Sequence, residues 1–218
     1  MAVSIIVPIY NESYELLKAL NSQLNDLKGE FEVIFIDSSD TPTLDTNFKV
    51  IRSAKGRGAQ LNLGASKAKF EILWFLHADS KISPNFVYDI QNAIKTAKIG
   101  CFRLKFDNQN FMLKLIALGS NLRVKWRNIA FGDQGIFITK ELFNKLGGFK
   151  QIAIMEDYEF GMRVKKQGVK FYLLDKTITT SARKFKNPLK TLLKMQILQF
   201  KFRKNYDIKK IEDEYQKI

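Results

Sequence analysis

Cysteine, histidine and long uncharged apolar stretches are scarce in this chain, and acids are scarce toward its end. The single Cys101 rules out an internal disulfide framework and fits a reducing compartment. Because it opens a strand-like segment, Cys101 itself reads as an inert core residue. His77 is the only histidine, so neither a His-rich zinc site nor a Cys/His cluster can be assembled. With one residue of each kind, a Cys-His or Ser-His nucleophilic pair has little to be built from. No stretch reaches the roughly 18 uncharged residues of a membrane span. Phe111 to Leu122 is interrupted by Lys114, and Pro188 to Phe202 carries Lys190, Lys194 and Lys201. The apolar start, Met1 to Ile9, lacks a basic lead-in and a small-residue cleavage site, and reads as a first strand.

The shortage of acids is local. Between Arg163 and Lys204 the only acid is Asp175, while Arg183, Lys184, Lys186, Lys190, Lys194, Lys201, Arg203 and Lys204 crowd the end. A formal charge of +14 and a pI near 9.7 describe a surface that attracts anions: nucleotides, nucleic acid or an acidic membrane face. Charge does not choose among them, and a solvated helix face is the plain reading of such a run.

What is present is enough for one well-buried domain, at 218 residues and 45% hydrophobic. Val3 to Val7, Phe31 to Ile36 and Ile72 to Leu76 are continuous apolar runs, as in parallel strands covered on both faces. Between the first two, Leu16, Leu17, Leu20, Leu24 and Leu27 recur at helical spacing, with Asn11 or Ser13 as N-cap and Gly29 as the stop. A strand at Lys49 to Arg52, a helix from Ala59 to Lys69 and another from Pro84 to Ala97 complete a β-α-β-β-α-β-α order. That order predicts a doubly wound α/β domain with a mostly parallel sheet and helices on both faces. Farther on, Cys101 to Phe106 and Ile136 to Thr139 read as strands, Phe111 to Val124 and Glu156 to Gln167 as helices, and Lys170 to Leu174 with Thr177 to Ala182 as a last strand pair. Pro188 opens a final basic helix, which docks on the domain, on a second subunit as a homodimer, or on an anionic membrane. The expected division is a domain over 1–185 and a helical appendage over 186–218.

Polar groups stand where the apolar runs end, the place where an open α/β sheet binds ligands. Asp79 follows the buried run ending in Leu76 and His77, and one or two carboxylates plus diphosphate oxygens suffice to hold Mg²⁺ or Mn²⁺. An N-cap is the alternative role for Asp79. Glu156 and Asp157 are adjacent at a helix start, and neighbouring helical positions diverge by about 100°, so one can face a cleft as a general base. Acids also favour any helix N-terminus. Gly56-Arg57-Gly58 is neither a dinucleotide fingerprint nor a Walker loop, yet an arginine between glycines can approach a diphosphate closely. An ordinary turn is the other reading.

In their order and spacing these motifs resemble the family 2 glycosyltransferases of GT-A fold. The matching stretches are Val3 to Glu12, Glu32 to Asp37, Gly56 to Gln60, Phe75 to Asp79, Gly147 to Phe149 and Met155 to Asp157. Leu76 to Asp79, Gly132 to Phe137 and Ser181 to Arg183 look like a compact bacterial subgroup, whose members are sometimes annotated near radical enzymes or arsenosugar biosynthesis. The resemblance implies a nucleoside-diphosphate-sugar donor of UDP or GDP type across the C-terminal edge of the sheet. Pro8, Tyr10 and Glu12 would contact the nucleoside, Asp37 the base, and Arg57 the base or diphosphate. Asp79 matches the last acid of the family's metal motif, where His77 replaces the usual first acid, and Asp157 matches the catalytic base of an inverting transfer. Ser38-Ser39-Asp40 replaces the usual glycine-serine turn after Asp37. Asp133 and Gln134 would line the acceptor side, with His77 and Glu156 nearby, and Arg183 or Lys184 would reach the leaving phosphates.

Two rivals remain at this point. A sugar nucleotidyltransferase would want a glycine-rich loop where this chain has Pro8 to Asn11. A non-catalytic basic module would bind nucleic acid or anionic lipid, although no zinc finger or RNP-type aromatic motif is present, so nucleic acid is not the expected partner. The expected setting is cytoplasmic, in solution or peripheral at the inner membrane face, and the acceptor is not readable.

Overall fold

The computed structural model describes residues 1–41, 44–108, 110–183, 185 and 187–216. In chain order the elements are β1 (Val3–Ile9), α1 (Tyr14–Asn25), β2 (Phe31–Asp37), β3 (Lys49–Arg52), α2 (Arg57–Lys67), β4 (Ile72–Phe75), α3 (Phe86–Ile94), β5 (Ile99–Phe106), α4 (Phe111–Arg127), β6 (Phe137–Thr139), α5 (Lys140–Lys145), α6 (Glu156–Lys166), β7 (Tyr172–Thr180), α7 (Pro188–Arg203) and α8 (Ile208–Tyr215). A short 3₁₀ turn, Gly132–Gln134, precedes β6.

The strands form one seven-stranded sheet in the order β3-β2-β1-β4-β6-β5-β7. All neighbours run parallel except β6, which is antiparallel to both β4 and β5. The apolar runs are continuous because both faces are covered. Ile5, Val7, Val33, Phe35, Trp74 and Leu76 face one core, shared with α1 and α3. Ile6, Ile34, Ile36, Leu73 and Phe75 face the other, shared with α2, α5 and α6.

Consecutive strands leave β1 in opposite directions, β2 on one side and β4 on the other, which makes β1 the switch point of the sheet. The β1–β4 ladder ends at Ile6↔Phe75, with Leu76 donating to Ile6 O at 3.0 Å. Pro8 is in phase with Ile6, so its missing N–H falls beyond the end of that ladder, where no sheet bond is lost. The parted edge is tied from beneath by Gln60, fully inside the protein, whose amide donates to Ile9 O at 2.9 Å and Ile36 O at 2.8 Å.

One alternative left open by the sequence is settled, and three details differ from its expectations. Ser13 caps α1, whereas Asn11 takes φ 50° and exchanges side-chain hydrogen bonds with Asp40. Arg57, rather than Ala59, begins α2. The expected last pair of strands is one strand, β7, which pairs with β5 throughout but slips register between Phe102↔Leu174 and Arg103↔Thr177, leaving Asp175 and Lys176 as the bulge. The basic tail forms two helices, and both return to the domain: Leu198 of α7 and Ile211 of α8 pack with Ile129, Met155 and Tyr158.

Replacing Gln60 by Met removes both ties, while the strand register still gives Ile36 O the Ile9 N–H and Ile9 O keeps the Ser38 N–H. Urea melts should show a loss of about 0.5–1.5 kcal/mol for each hydrogen bond removed; an unchanged midpoint would mean that the tie is dispensable.

Candidate active site

Beyond the parted strands lies a cavity of about 510 Å³, and Arg57, His77, Asp79, Asp133, Asp157 and Arg183 all stand on its wall. Six residues singled out in the sequence are thus brought together from five different segments. The remaining wall is mixed, with Leu104, Phe106, Ile116, Phe131, Leu192 and Met195 beside polar residues such as Ser120, Thr191, Gln196 and Gln199.

Asp157 is set by an unusual helix entry. Met155 is buried with φ 68°, a left-handed backbone costing a non-glycine residue about 1–2 kcal/mol. The turn aims the next two carboxylates differently. Asp157 Oδ2 accepts from Gly132 N at 2.8 Å and Oδ1 from its neighbour Tyr158 N at 2.6 Å. Glu156 is buried, 3.1 Å from Arg57 Nε. That contact is an ion pair without a well-aligned N–H···O bond, since Arg57 Nε makes no hydrogen bond of good geometry. Burial pushes the Glu156 carboxyl pKa up; Arg57 opposes this and Asp157 adds to it. Burial works against the Arg57 cation, but Glu156 and Asp157 outweigh it and hold its pKa above the usual arginine value.

Gly132 closes the back of this group. A Cβ there would stand 2.5 Å from Arg57 Nη2 and 2.6 Å from His77 Nε2, so any larger residue would have to displace the ends of these two side chains. His77 Nδ1 is 3.5 Å from Arg57 Nη2. Beside it, Asp133 faces the cavity with Oδ1 buried and without a hydrogen-bond partner. Burial lifts its carboxyl pKa to about 6; Arg123 and Arg57 pull it down, while Asp157 and Asp79 push it up.

Gln134, expected on the acceptor side, lies behind the wall instead: it is fully buried, accepts from Arg123 Nη2 at 3.0 Å and donates to Phe102 O at 3.3 Å. Arg123 was not foreseen. It reaches from α4 into the cavity wall, donates also to Ile129 O and lies 3.6 Å from the centre of the Phe131 ring. Burial lowers its pKa, with Asp133 and Asp157 acting in the opposite direction. The signal that could have found it is an arginine among the leucines and isoleucines of an otherwise apolar-rich helix.

On the other wall, Arg183 Nη2 lies 2.9 and 3.1 Å from the two Glu12 carboxylate oxygens and 3.8 Å from Asp79 Oδ2. Glu12 is therefore joined to the segment before α7. Lys184, the alternative expected beside Arg183, lies outside the described residues. Asp79 suits a hard cation of the kind that keeps few protein ligands: it presents a carboxylate to the cavity at the end of β4. Among the described residues no three His, Cys, Asp or Glu side chains gather into a ready-made cage.

The remaining expected donor-side residues line the outer edge of β1 and β2. Asp37 is buried, accepting from Arg52 Nη1 at 2.6 Å and from Ser39 N at 2.8 Å. Arg52, its register partner on β3, is a second residue that sequence reasoning missed. Tyr10 is exposed, with Lys55 Nζ 3.1 Å from its hydroxyl and over its ring. Pro8 is half-buried at the end of β1.

The family model described as glycosyl transferase family 2 matches residues 4–154. The chain belongs to that family. An uncharacterized glycosyltransferase of Haemophilus influenzae is 27% identical over 183 residues, covering 76% of this chain and 62% of that protein. The chain thus spans less than two thirds of that relative. Among solved structures, the mannosyltransferase PcManGT from Pyrobaculum calidifontis, in complex with GDP-Man and Mn²⁺, superposes with TM-score 0.70 at 17% identity, over 94% of this chain and 65% of the other. Staphylococcus aureus TarS superposes with TM-score 0.67 at 22% identity, over 91% and 40%. These two likenesses establish the GT-A fold for this family 2 chain.

Asp133 should destabilise the ligand-free protein near neutrality. Its folded pKa of about 6 lies above the ordinary 3.8, so the native state binds more protons between those values and loses stability as pH rises through them. Asp133→Asn should therefore melt higher than the parent above pH 6, by on the order of 1–3 kcal/mol, and the difference should shrink toward pH 4. Thermal melts across pH 4 to about 8 check this; a difference independent of pH would contradict it.

Proposed function

We propose that this chain is an inverting glycosyltransferase, moving a sugar from a nucleoside-diphosphate-sugar to an acceptor hydroxyl with Asp157 as general base. The setting of Asp157 carries the reading: a carboxylate anchored by the Gly132 N–H in the wall of a cavity shared with Arg57, Asp79 and Arg183. The mannosyltransferase neighbour in complex with GDP-Man supports a donor of this class.

The donor nucleoside would lie along the ends of β1 and β2, against Pro8 and Tyr10 and near the Asp37–Arg52 pair. Its diphosphate would run toward Arg57 and Asp79. Asp79 would hold a Mg²⁺ or Mn²⁺ ion, which supplies charge neutralisation for the diphosphate. The acceptor hydroxyl would donate its hydrogen bond to Asp157. As the acceptor oxygen attacks the anomeric carbon, its proton passes to the Asp157 carboxylate, and the bond to the diphosphate breaks with the electron pair leaving on the phosphate oxygen. The Gly132 and Tyr158 N–H groups keep the carboxylate from rotating while this happens. Arg183, freed from Glu12, would be in reach of the departing phosphates. The catalytic domain would comprise residues 1–185. Residues 186–218 add to the site as well, because Thr191, Met195 and Tyr215 stand on the cavity wall.

A thermal-shift panel of UDP- and GDP-sugars, with and without Mn²⁺, identifies the donor, since only what the native state binds raises stability. Asp157→Asn should keep the donor-induced shift while transfer from that donor falls by on the order of 10²- to 10⁴-fold. Asp79→Asn should lose the Mn²⁺-dependent part of the shift. Parental transfer by the Asp157 variant would remove it as the base, and the absence of any shift would overturn the donor assignment.

A further inference from the structure

The outward faces of α4 and α7 carry large apolar side chains that stand exposed among the described residues. On α4 they are Phe111, Leu115, Leu118 and Trp126; on α7 they are Leu189, Leu193, Ile197 and Phe200. At 100° per residue each set falls within roughly 80° of its helix surface, so each is a stripe. An apolar stripe of this length on two helices of one protein marks a contact surface.

The charges around the stripes narrow the partner. Neither helix contains an Asp or a Glu. Lys114 and Lys125 border the α4 stripe, and Lys190 and Lys194 border that of α7. A second copy of a chain carrying +14 would set these lysines against their own kind. Nucleic acid would answer the lysines and leave the stripes in water. A surface that is apolar at its depth and anionic at its level satisfies both features.

We propose that the outward faces of α4 and α7 form a docking surface for an anionic phospholipid bilayer, the stripes entering the headgroup region and the lysines meeting lipid phosphates. The opposite sides of the same two helices line the cavity, through Ile116 and Ser120 of α4 and Leu192 and Met195 of α7. The docking stands on the stripes and their charges and does not depend on the sugar-transfer reading. No helix among the described residues is long and apolar enough to cross a membrane, so the contact is peripheral.

Tryptophan fluorescence tests this directly, because Trp74 is 0% exposed and Trp126 78% exposed. The whole chain should sediment with vesicles of phosphatidylglycerol mixed into phosphatidylcholine and not with phosphatidylcholine alone, and Trp126 emission should move to the blue on binding. Lys125→Gln and Lys190→Gln should each weaken binding by about fivefold. Leu118→Asp combined with Leu193→Asp should abolish the blue shift at an unchanged melting temperature, since both side chains already lie in water. The proposal is overturned by no vesicle binding, by binding without a Trp126 shift, by a double-aspartate variant that binds like the parent, or by a concentration-dependent dimer that ignores vesicles.

Discussion

Gly132 donates its backbone N–H to Asp157 at 2.8 Å, and a Cβ there would press on the ends of the Arg57 and His77 side chains. That contact couples four segments that are distant in sequence: the start of α2, the end of β4, the turn before β6 and the start of α6. If the Gly132 backbone were pushed back, the carboxylate would lose its anchor and the Arg57–Glu156 pair would be displaced with it. The Asp157 carboxylate is thus held by backbone, the part of the protein with the least freedom to rearrange.

The costs in this structure gather at the same place. Met155 takes a left-handed backbone, Asp133 keeps an oxygen buried without a partner, and Glu156 is a buried acid whose Arg57 contact is poorly aligned. Each is unfavourable by itself, and together they are tolerable because the sheet is packed on both faces by large apolar clusters. Unsatisfied polarity beside a cavity is what a polar ligand can answer, since a ligand O–H or N–H would supply the donor that Asp133 Oδ1 lacks.

Much of the fold was legible because buried parallel strands leave uninterrupted apolar runs, as at Val3 to Val7 and Ile72 to Leu76, and because polar motifs stand at their ends. Residues of those motifs lie together in the structure, since Arg57, His77, Asp79, Asp133, Asp157 and Arg183 line one cavity. What was not legible depends on partners brought in from afar. Arg123 reads as a solvated helix position until Gln134 and Asp133 are placed beside it, and Arg52 reads as an exposed strand residue until it meets Asp37 across the ladder. Gln134 shares a motif with Asp133 but turns the other way, a divergence that the tight 3₁₀ turn creates and no spacing rule anticipates. The two halves of β7 looked like separate strands because the bulge at Asp175 and Lys176 breaks the apolar alternation that a single strand would show.

The central claim is that one anchored carboxylate, Asp157, carries the proton while the acceptor oxygen displaces the diphosphate in a single step. The configuration of the product at its anomeric carbon tests this most directly. Nuclear magnetic resonance of the product formed from an α-linked nucleoside-diphosphate-sugar should show the β-glycoside, inverted at that centre. An α-linked product would mean retention, require a different arrangement of catalytic groups, and contradict the role assigned to Asp157.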